Sequence, residues 1–418
     1  MLYEDNTAKL LGLEDVIIKK VWEDESAHHI ELELPRRKHS CPCCGAETDR
    51  IHDYRKQKIK DISAFGKDVY LYLRKRRYAC DSCGKRFYEK NSFLPRYHRM
   101  TSRKNARIIE DFRDTVSAAY IARKHNISTT TALRYFNLVN YSHKALPEVL
   151  SIDEFKGNAG GEKYQTILTD ARDRKIIDIL PNRKKADMIR YFRRFKNRKE
   201  VKYVVIDMNP HFREVAEICF PQATIVIDRY HVTRQAIWAL ERVRKEEQKQ
   251  LSSDWRRFCK HSKALLNKPP DKLKEDEREK LRIILGLSTR LEQAYFLKND
   301  FLFLMHSPNS QVAKELLADW IYRAESSHLP EFRDCTRAIH NWGKLILNSF
   351  NVPFTNGFTE GCNNKTKVLK RVCYGLRNFH RFRNRILHCA SGHLRRRSMW
   401  LATYSFFLGL LLLFYPNY

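Results

Sequence analysis

A chain of 418 residues has room for roughly two to four domains and a sizeable core, and is too long for a lone peptide module. Its 79 lysines and arginines against 49 aspartates and glutamates leave a formal net charge of +30, which demands an anionic partner, nucleic acid before a membrane surface. A hydrophobic fraction of 43% and an aromatic fraction of 12% exclude a disordered basic tail. The eleven cysteines, with no N-terminal signal peptide, read as reduced thiols of a cytosolic chain and not as a secreted disulfide scaffold.

Residues 1–95 are expected to form a small β domain. The runs Asp15 to Lys19, His29 to Leu34 and Val69 to Leu73 alternate apolar and polar side chains, which is strand periodicity. Residues 96–146 change to helical periodicity, with Ile108, Ile109 and Phe112, then Ala118, Ile121 and Ala122, then Leu133 and Phe136, enough for three helices. From Val149 short β-branched runs begin at Val149, Tyr164, Lys175, Tyr203 and Thr224. The second and third follow after tight connections, whereas the fourth and fifth each follow a helix-like stretch. That order predicts a mixed sheet, antiparallel on one side and crossover-connected on the other, across residues 147–251. Residues 252–348 read as helices only, and a strongly basic helical segment runs from about Asn356 to Leu387 within residues 349–398.

Two knuckles, Cys41-Pro42-Cys43-Cys44-Gly45 and Cys80-Asp81-Ser82-Cys83-Gly84, can supply four thiolates to a closed tetrahedral zinc site. Glycine follows Cys44 as it follows Cys83, where the backbone must turn tightly, so Cys44 is favoured over Cys43 as the ligand beside Cys41 and Cys80. Ser117 to His125 reads as a helix, Asn126-Ile127-Ser128 as a turn, and Ser128 as the cap of a helix that starts Thr129-Thr130-Thr131. This is a helix-turn-helix candidate in which Ser128, Thr129, Thr130, Thr131 and Arg134 would meet DNA, with an ordinary helical hairpin as the plain alternative.

Among the acids, Asp153 lies on the first strand of the mixed sheet. Asp207 and Asp228 each end a strand, where open α/β sheets hold ligands. Spacing alone does not rank those two, and either could instead cap a helix. Glu360, Asn363, Asn364 and Lys367 fall at i, i+3, i+4 and i+7 of one helix and share a face. Three acids from two strands and a distant helix suit a pair of Mg²⁺ ions, which take oxygen ligands and balance charge in phosphoryl chemistry. Lys365, Lys370 and Arg371 follow Glu360 closely, a placement for tracking phosphates. Trp238, Trp255 and Trp342 are candidates to stack on a flipped base, although each suits a core equally well.

In this order the motifs resemble those of the DDE transposases of bacterial insertion sequences, specifically the ISL3 family. The matching runs are the two cysteine knuckles, the helix-turn-helix, Ser151-Ile152-Asp153-Glu154-Phe155, Val205-Ile206-Asp207-Met208, Asp228-Arg229-Tyr230-His231, Thr359-Glu360-Gly361-Cys362-Asn363-Asn364-Lys365-Thr366-Lys367 and Tyr374 through Leu387. The resemblance implies a ribonuclease-H-like core with a helical insertion. It carries the three catalytic acids onto Asp153, Asp207 and Glu360, with Asp228, His231, Asn363, Asn364 and Lys367 around them. It also implies Mg²⁺ or Mn²⁺ at those acids, structural Zn²⁺ at the cysteines, and cleavage of element ends followed by joining of the 3′-hydroxyl to target DNA. The expected partners are double-stranded DNA and further copies of the chain, as a homodimer or larger on DNA, in the bacterial cytoplasm at the nucleoid. A DNA-binding regulator without catalysis is the rival reading. The uncharged run from Met399 to Tyr415 is too short for a membrane span, for which ~20 apolar residues are needed. Residues 399–418 are therefore expected to pack as an apolar tail, and no membrane is expected as a partner.

Overall fold

The computed structural model describes residues 8–9, 11–13 and 15–391, so the expectation for the apolar tail lies outside the described residues. Two compact units emerge. One takes the chain up to Tyr141 with Leu369–Gly375 and the segment from His380, and the other takes Ser142–Val368 with Leu376–Phe379.

In the first unit, strands β1 (Ile17–Glu23), β2 (Ala27–Glu33), β5 (Ile51–Ala64) and β6 (Lys67–Ala79) form a sheet in the order β1-β2-β6-β5, with β7 (Arg86–Tyr88) pairing the end of β6. Alternation explains its face: Ile18, Ile30, Leu32, Ile59, Val69, Leu71 and Leu73 point into one core. The β5–β6 hairpin turns on Phe65 and Gly66, both with positive φ, the conformation a two-residue turn imposes between right-twisted strands. Short strands β3 (His39–Ser40) and β4 (Glu47–Thr48) pair around the first cysteine knuckle, and the Ala79↔Arg86 pair closes around the second. The long strand β5 went unmarked in the sequence because its lysines obscure the alternation.

Helices α1 (Ser102–Asp111), α2 (Ala118–Lys124) and α3 (Thr129–Phe136) start at Thr101, Ser117 and Ser128, whose hydroxyls accept the backbone N–H three residues on. Ile108, Phe112, Ile121, Ala122, Ala132 and Phe136 make their shared core, with Phe112 and Phe136 stacked at 4.4 Å. The turn between α2 and α3 places Asn126 at φ 50°.

The second unit is built on a five-stranded sheet in the order β10-β9-β8-β11-β12, from β8 (Val149–Phe155), β9 (Gln165–Asp170), β10 (Lys175–Leu180), β11 (Tyr203–Ile206) and β12 (Thr224–Ile227). The pairs β10/β9 and β8/β9 are antiparallel, and β8/β11 and β11/β12 are parallel, as the connection lengths predict. Helix α4 (Lys185–Arg193) buries Met188 and Phe192, and α5 (Pro210–Cys219) buries Phe212, Val215 and Ala216. Each such fully buried large side chain contributes ~1.5 to 3 kcal/mol. After β12 comes α6 (Arg229–Gln250), followed by helices through α12 (Pro330–Asn348). Their core centres on Trp320, which is fully buried and donates Nε1–H to the Leu297 carbonyl at 2.8 Å.

The basic helical segment expected from about Asn356 to Leu387 is two helices, α13 (Gly357–Val372) and α14 (Phe379–Ser391). Positive φ at Tyr374 and Gly375 ends the first. Its cations are not all surface charge: Arg385 is buried and donates to the carbonyls of Phe112, Asp114 and Val116.

Candidate active site

Register brings three acids into one row. In the parallel ladders Val205 pairs with Ser151 and Ile206 with Ile227. Asp153 and Asp207 lie two positions beyond the first pair, and Asp207 and Asp228 one position beyond the second. Neighbouring strands run ~4.8 Å apart, so Asp207 sits between Asp153 and Asp228 at the carboxyl edge of the sheet. Asp228 is also the cap residue of α6, and its N–H donates to the Ile206 carbonyl at 2.9 Å. Asp228 thus holds the position before the helix, but its side chain makes no cap hydrogen bond there.

Burial disfavours the charged forms here. Asp207 is pushed up to about 7 by burial and then by the neighbouring charges of Asp153, Glu154 and Asp228. Asp153 is pushed up to about 6 by burial, against the opposing N–H of Glu154, with Glu154, Asp228 and Glu360 adding repulsion. Burial raises Asp228 too, opposed by His231 and by the amides of Tyr230 and Asn356. The His231 ring is lowered by its own burial. Asp207 Oδ1 is buried without a hydrogen-bond partner among the described residues, as is Asn363 Oδ1. Orphaned oxygens beside mutually repelling carboxylates leave room for a cation, and the oxygen donor set fits Mg²⁺ or Mn²⁺. The acids are not drawn into a tight cage. Among the described residues, the four-thiol group is the one set of three or more metal-ligating atoms lying within 4.8 Å of one another.

Helix α13 is fastened over this edge at two levels. The Thr359 hydroxyl meets the Ser151 hydroxyl at 3.0 Å and that of Thr169 at 2.7 Å, bridging a register pair of β8 and β9. One turn later Asn363 donates Nδ2–H to Asp153 Oδ2 at 2.9 Å. Ser151 also donates to Asn356 Oδ1 ahead of the helix. The face shared by Glu360, Asn363, Asn364 and Lys367 is therefore split: Asn363 is buried against the strand, while Glu360, Asn364 and Lys367 are exposed. Lys367 donates to Asn364 Oδ1 at 3.2 Å. Lys365 and Arg371 are exposed and Lys370 half-buried on the same helix. Sequence reasoning passed over Ser151, Thr169, Asn356 and Thr359. One signal was legible, a serine two positions before Asp153 and hence on its face of the strand.

The cysteine knuckles converge. The sulfurs of Cys41, Cys44, Cys80 and Cys83 lie within 4.8 Å of one another, with Cys41–Cys83 and Cys44–Cys80 each at 3.5 Å. Zn–S bonds of 2.3 Å in a tetrahedron separate sulfurs by about 3.8 Å, so the set fits zinc. The knuckles are alike: Gly45 N–H donates to the Cys41 carbonyl at 3.0 Å and Gly84 N–H to that of Cys80 at 2.9 Å, both glycines at positive φ. The Cys44 amide, first among several groups, holds the Cys41 thiol down to about 6, and the Cys83 amide lowers Cys80. Cys43 is exposed and outside the cluster.

At the α2–α3 turn, the Ser128 hydroxyl is occupied by its cap and by Thr131 at 2.9 Å. Thr129, Thr130 and Arg134 are exposed. Trp238 and Trp255 are 48% and 43% exposed, whereas Trp342 is 8% exposed. Packing into the core of the second unit removes Trp342 from the stacking candidates.

A family model described as a transposase, of the ISL3 group, matches residues 150–386, a span that includes the three strand acids and Glu360. A second, described as the zinc finger of the transposases IS204, IS1001, IS1096 and IS1165, matches residues 37–83 and takes in all four clustered cysteines. The chain is 27% identical over 365 residues to the transposase for insertion sequence element IS1001 of Bordetella parapertussis, covering 85% of this chain and 89% of that one. It is 22% identical over 241 residues to the transposase for insertion sequence element IS1557 of Mycobacterium tuberculosis, covering 52% and 54%. A shorter stretch of 107 residues is 34% identical to an ATP-dependent protease of Lactococcus lactis, covering 25% and 32%.

Proposed function

The chain belongs to the ISL3 family of DDE transposases, and from that premise we propose that it binds the terminal inverted repeats of its element, cuts DNA there and joins the freed 3′-hydroxyl to target DNA. The observation that carries the chemistry is the row of half-buried to buried acids with an orphaned, buried carboxylate oxygen at Asp207. Asp153 and Asp207, with Glu360 from α13, are the residues to hold Mg²⁺ or Mn²⁺, and Asp228 and His231 flank them. Such ions, when bound, activate the attacking oxygen and balance charge on the leaving one. In the first step water attacks phosphorus and the P–O3′ bond breaks, leaving a 3′-hydroxyl. In the second that hydroxyl attacks a target phosphorus, stays joined to the 5′-phosphate there and displaces the 3′-oxygen of the nucleotide on the 5′ side. Asn363 orients Asp153, and exposed Lys365, Lys367 and Arg371, with Lys370, face the phosphate backbone.

The strand order of the second unit, three antiparallel strands continued by two parallel ones, supports a ribonuclease-H-like reading. The capped α2–turn–α3 pair supports a helix-turn-helix whose Thr129, Thr130 and Arg134 read DNA. Zinc at the four cysteines stiffens the DNA-reading end. In this reading the protein works in the cytoplasm, at the nucleoid, as a dimer or larger assembly on DNA.

The test is end cleavage on labelled duplex. Glu360→Gln, Asp153→Asn and Asp207→Asn should keep terminal-repeat binding and lose both cutting and joining, with Asp228→Asn less damaging. A parent protein that binds its ends tightly and never cuts them with Mg²⁺ or Mn²⁺ would overturn the enzymatic reading in favour of a regulator.

A further inference from the structure

One face of α6 carries an arrangement that the acid row does not use. Tyr230, Arg234 and Trp238 lie at i, i+4 and i+8, so they align along the helix at ~6 Å intervals. The Arg234 guanidinium sits 5.5 Å from the centre of the Tyr230 ring and 4.5 Å from that of Trp238. Both rings are half out of the protein, at 51% and 48% exposure. The opposite face, with Val232, Ala236, Ala239, Leu240 and Val243, is buried and already supplies the packing of this helix. Among the described residues Arg234 makes no ion pair. The two exposed rings and the cation between them add nothing to the core. The ladder also starts at a defined place, because α6 begins one residue after Asp228.

We infer that Tyr230, Arg234 and Trp238 form a stacking ladder for unpaired DNA nucleotides leading away from the acid row. This rests on the DNA-cutting reading above and specifies the state of the DNA beside the cut. Ring faces accept bases only where the bases have left the duplex stack, and a stacked guanidinium offers its remaining N–H groups to the connecting phosphates. A duplex offers such bases at an opened end, not along its length.

The test uses the full chain and two probes, a blunt duplex and the same duplex with an unpaired thymidine extension carrying 2-aminopurine. Trp238→Ala should weaken binding of the extended probe by about tenfold or more and abolish the fluorescence quenching, while blunt-duplex binding changes by less than about twofold. Trp238→Phe, which keeps a ring, should retain most of the difference, and Tyr230→Ala should resemble Trp238→Ala more weakly. Unchanged melting of the variants identifies the loss as one of contact. Equal binding of both probes by the parent, or an equal loss on both in Trp238→Ala, overturns the ladder and leaves the DNA-cutting reading intact. A parent that binds neither probe overturns both.

Discussion

The side-chain amide of Asn363 donates to Oδ2 of Asp153 at 2.9 Å, joining residues 210 positions apart. It is the upper of two matched rungs. Thr359 and Asn363 stand four residues apart on a helix, ~6 Å, and Ser151 and Asp153 two residues apart on a strand, ~6.6 Å. The near-equality lets one helix face meet one strand face at both levels, which sets the rotation of α13 and with it where Glu360 emerges.

If the rungs set the position of Glu360, removing either should impair cutting without impairing DNA binding. Thr359→Val leaves the buried Ser151 and Thr169 hydroxyls short of a partner, a loss of ~1 to 3 kcal/mol. Cleavage by Thr359→Val and by Asn363→Ala should fall by about tenfold or more, at a raised metal requirement. Thr359→Ser, which restores the hydroxyl, should recover most of it. Full activity in Thr359→Val, measured across a metal titration, would contradict the fastening role.

Asp207 is a burden on the metal-free fold. Its proton affinity rises from 3.8 to about 7 on folding, so between those values the native state holds a proton that the unfolded chain releases. Stability is then lost as pH rises through that window. Without metal and above neutrality, Asp207→Asn should therefore be more stable than the parent, by roughly 2 to 4 kcal/mol, and the difference should vanish near pH 4. Added Mg²⁺ should raise the melting temperature of the parent and leave that of the variant nearly unchanged. A variant that melts below the parent under all these conditions would show that Asp207 has a compensating partner.

Zinc content distinguishes the two adjacent cysteines. Cys80→Ser should lose the metal and loosen the hairpin ends that flank both knuckles, since ligand binding and folding are linked in such sites. Cys43→Ser should retain about one zinc per chain by elemental analysis and melt with the parent. Zinc loss from Cys43→Ser would show that Cys43, not Cys44, is the ligand.

His388 makes the first unit acid-sensitive. Its ring is buried between the Tyr141 hydroxyl, at 2.6 Å from Nδ1, and the Ile109 carbonyl, at 2.8 Å from Nε2. The carbonyl requires a proton on Nε2, so Nδ1 accepts from Tyr141 and the ring is neutral. Burial lowers it to about 4 from 6.5. As pH falls from 6.5 to about 4 the unfolded chain gains a proton that the native one does not, and roughly 3 kcal/mol of stability is lost. His388→Gln, neutral throughout, should flatten that part of the profile in melts followed by circular dichroism. An unchanged slope would place the acid sensitivity elsewhere.

Local chemistry settled what the sequence could determine alone. Period-two alternation marks β2 and β6, the Ser128 cap marks the start of α3, and connection lengths fix the mixed sheet. The two knuckles, each with its glycine, pick out Cys44 over Cys43 because a tight turn around a metal is a property of five consecutive residues. Tertiary structure decided whatever depends on which surfaces meet. Asp207 and Asp228 have the same local signature, and only the ladder register sets Asp207 next to Asp153 with Asp228 on its far side. The basic segment after Glu360 looks uniformly solvated, yet Arg385 is spent on three carbonyls and Asn363 on a strand acid. Trp238 and Trp342 are equivalent as letters, but one faces water and the other the core. Charge and ring chemistry are carried by single residues, whereas proximity and burial belong to pairs of elements far apart in the chain, and no local pattern encodes them.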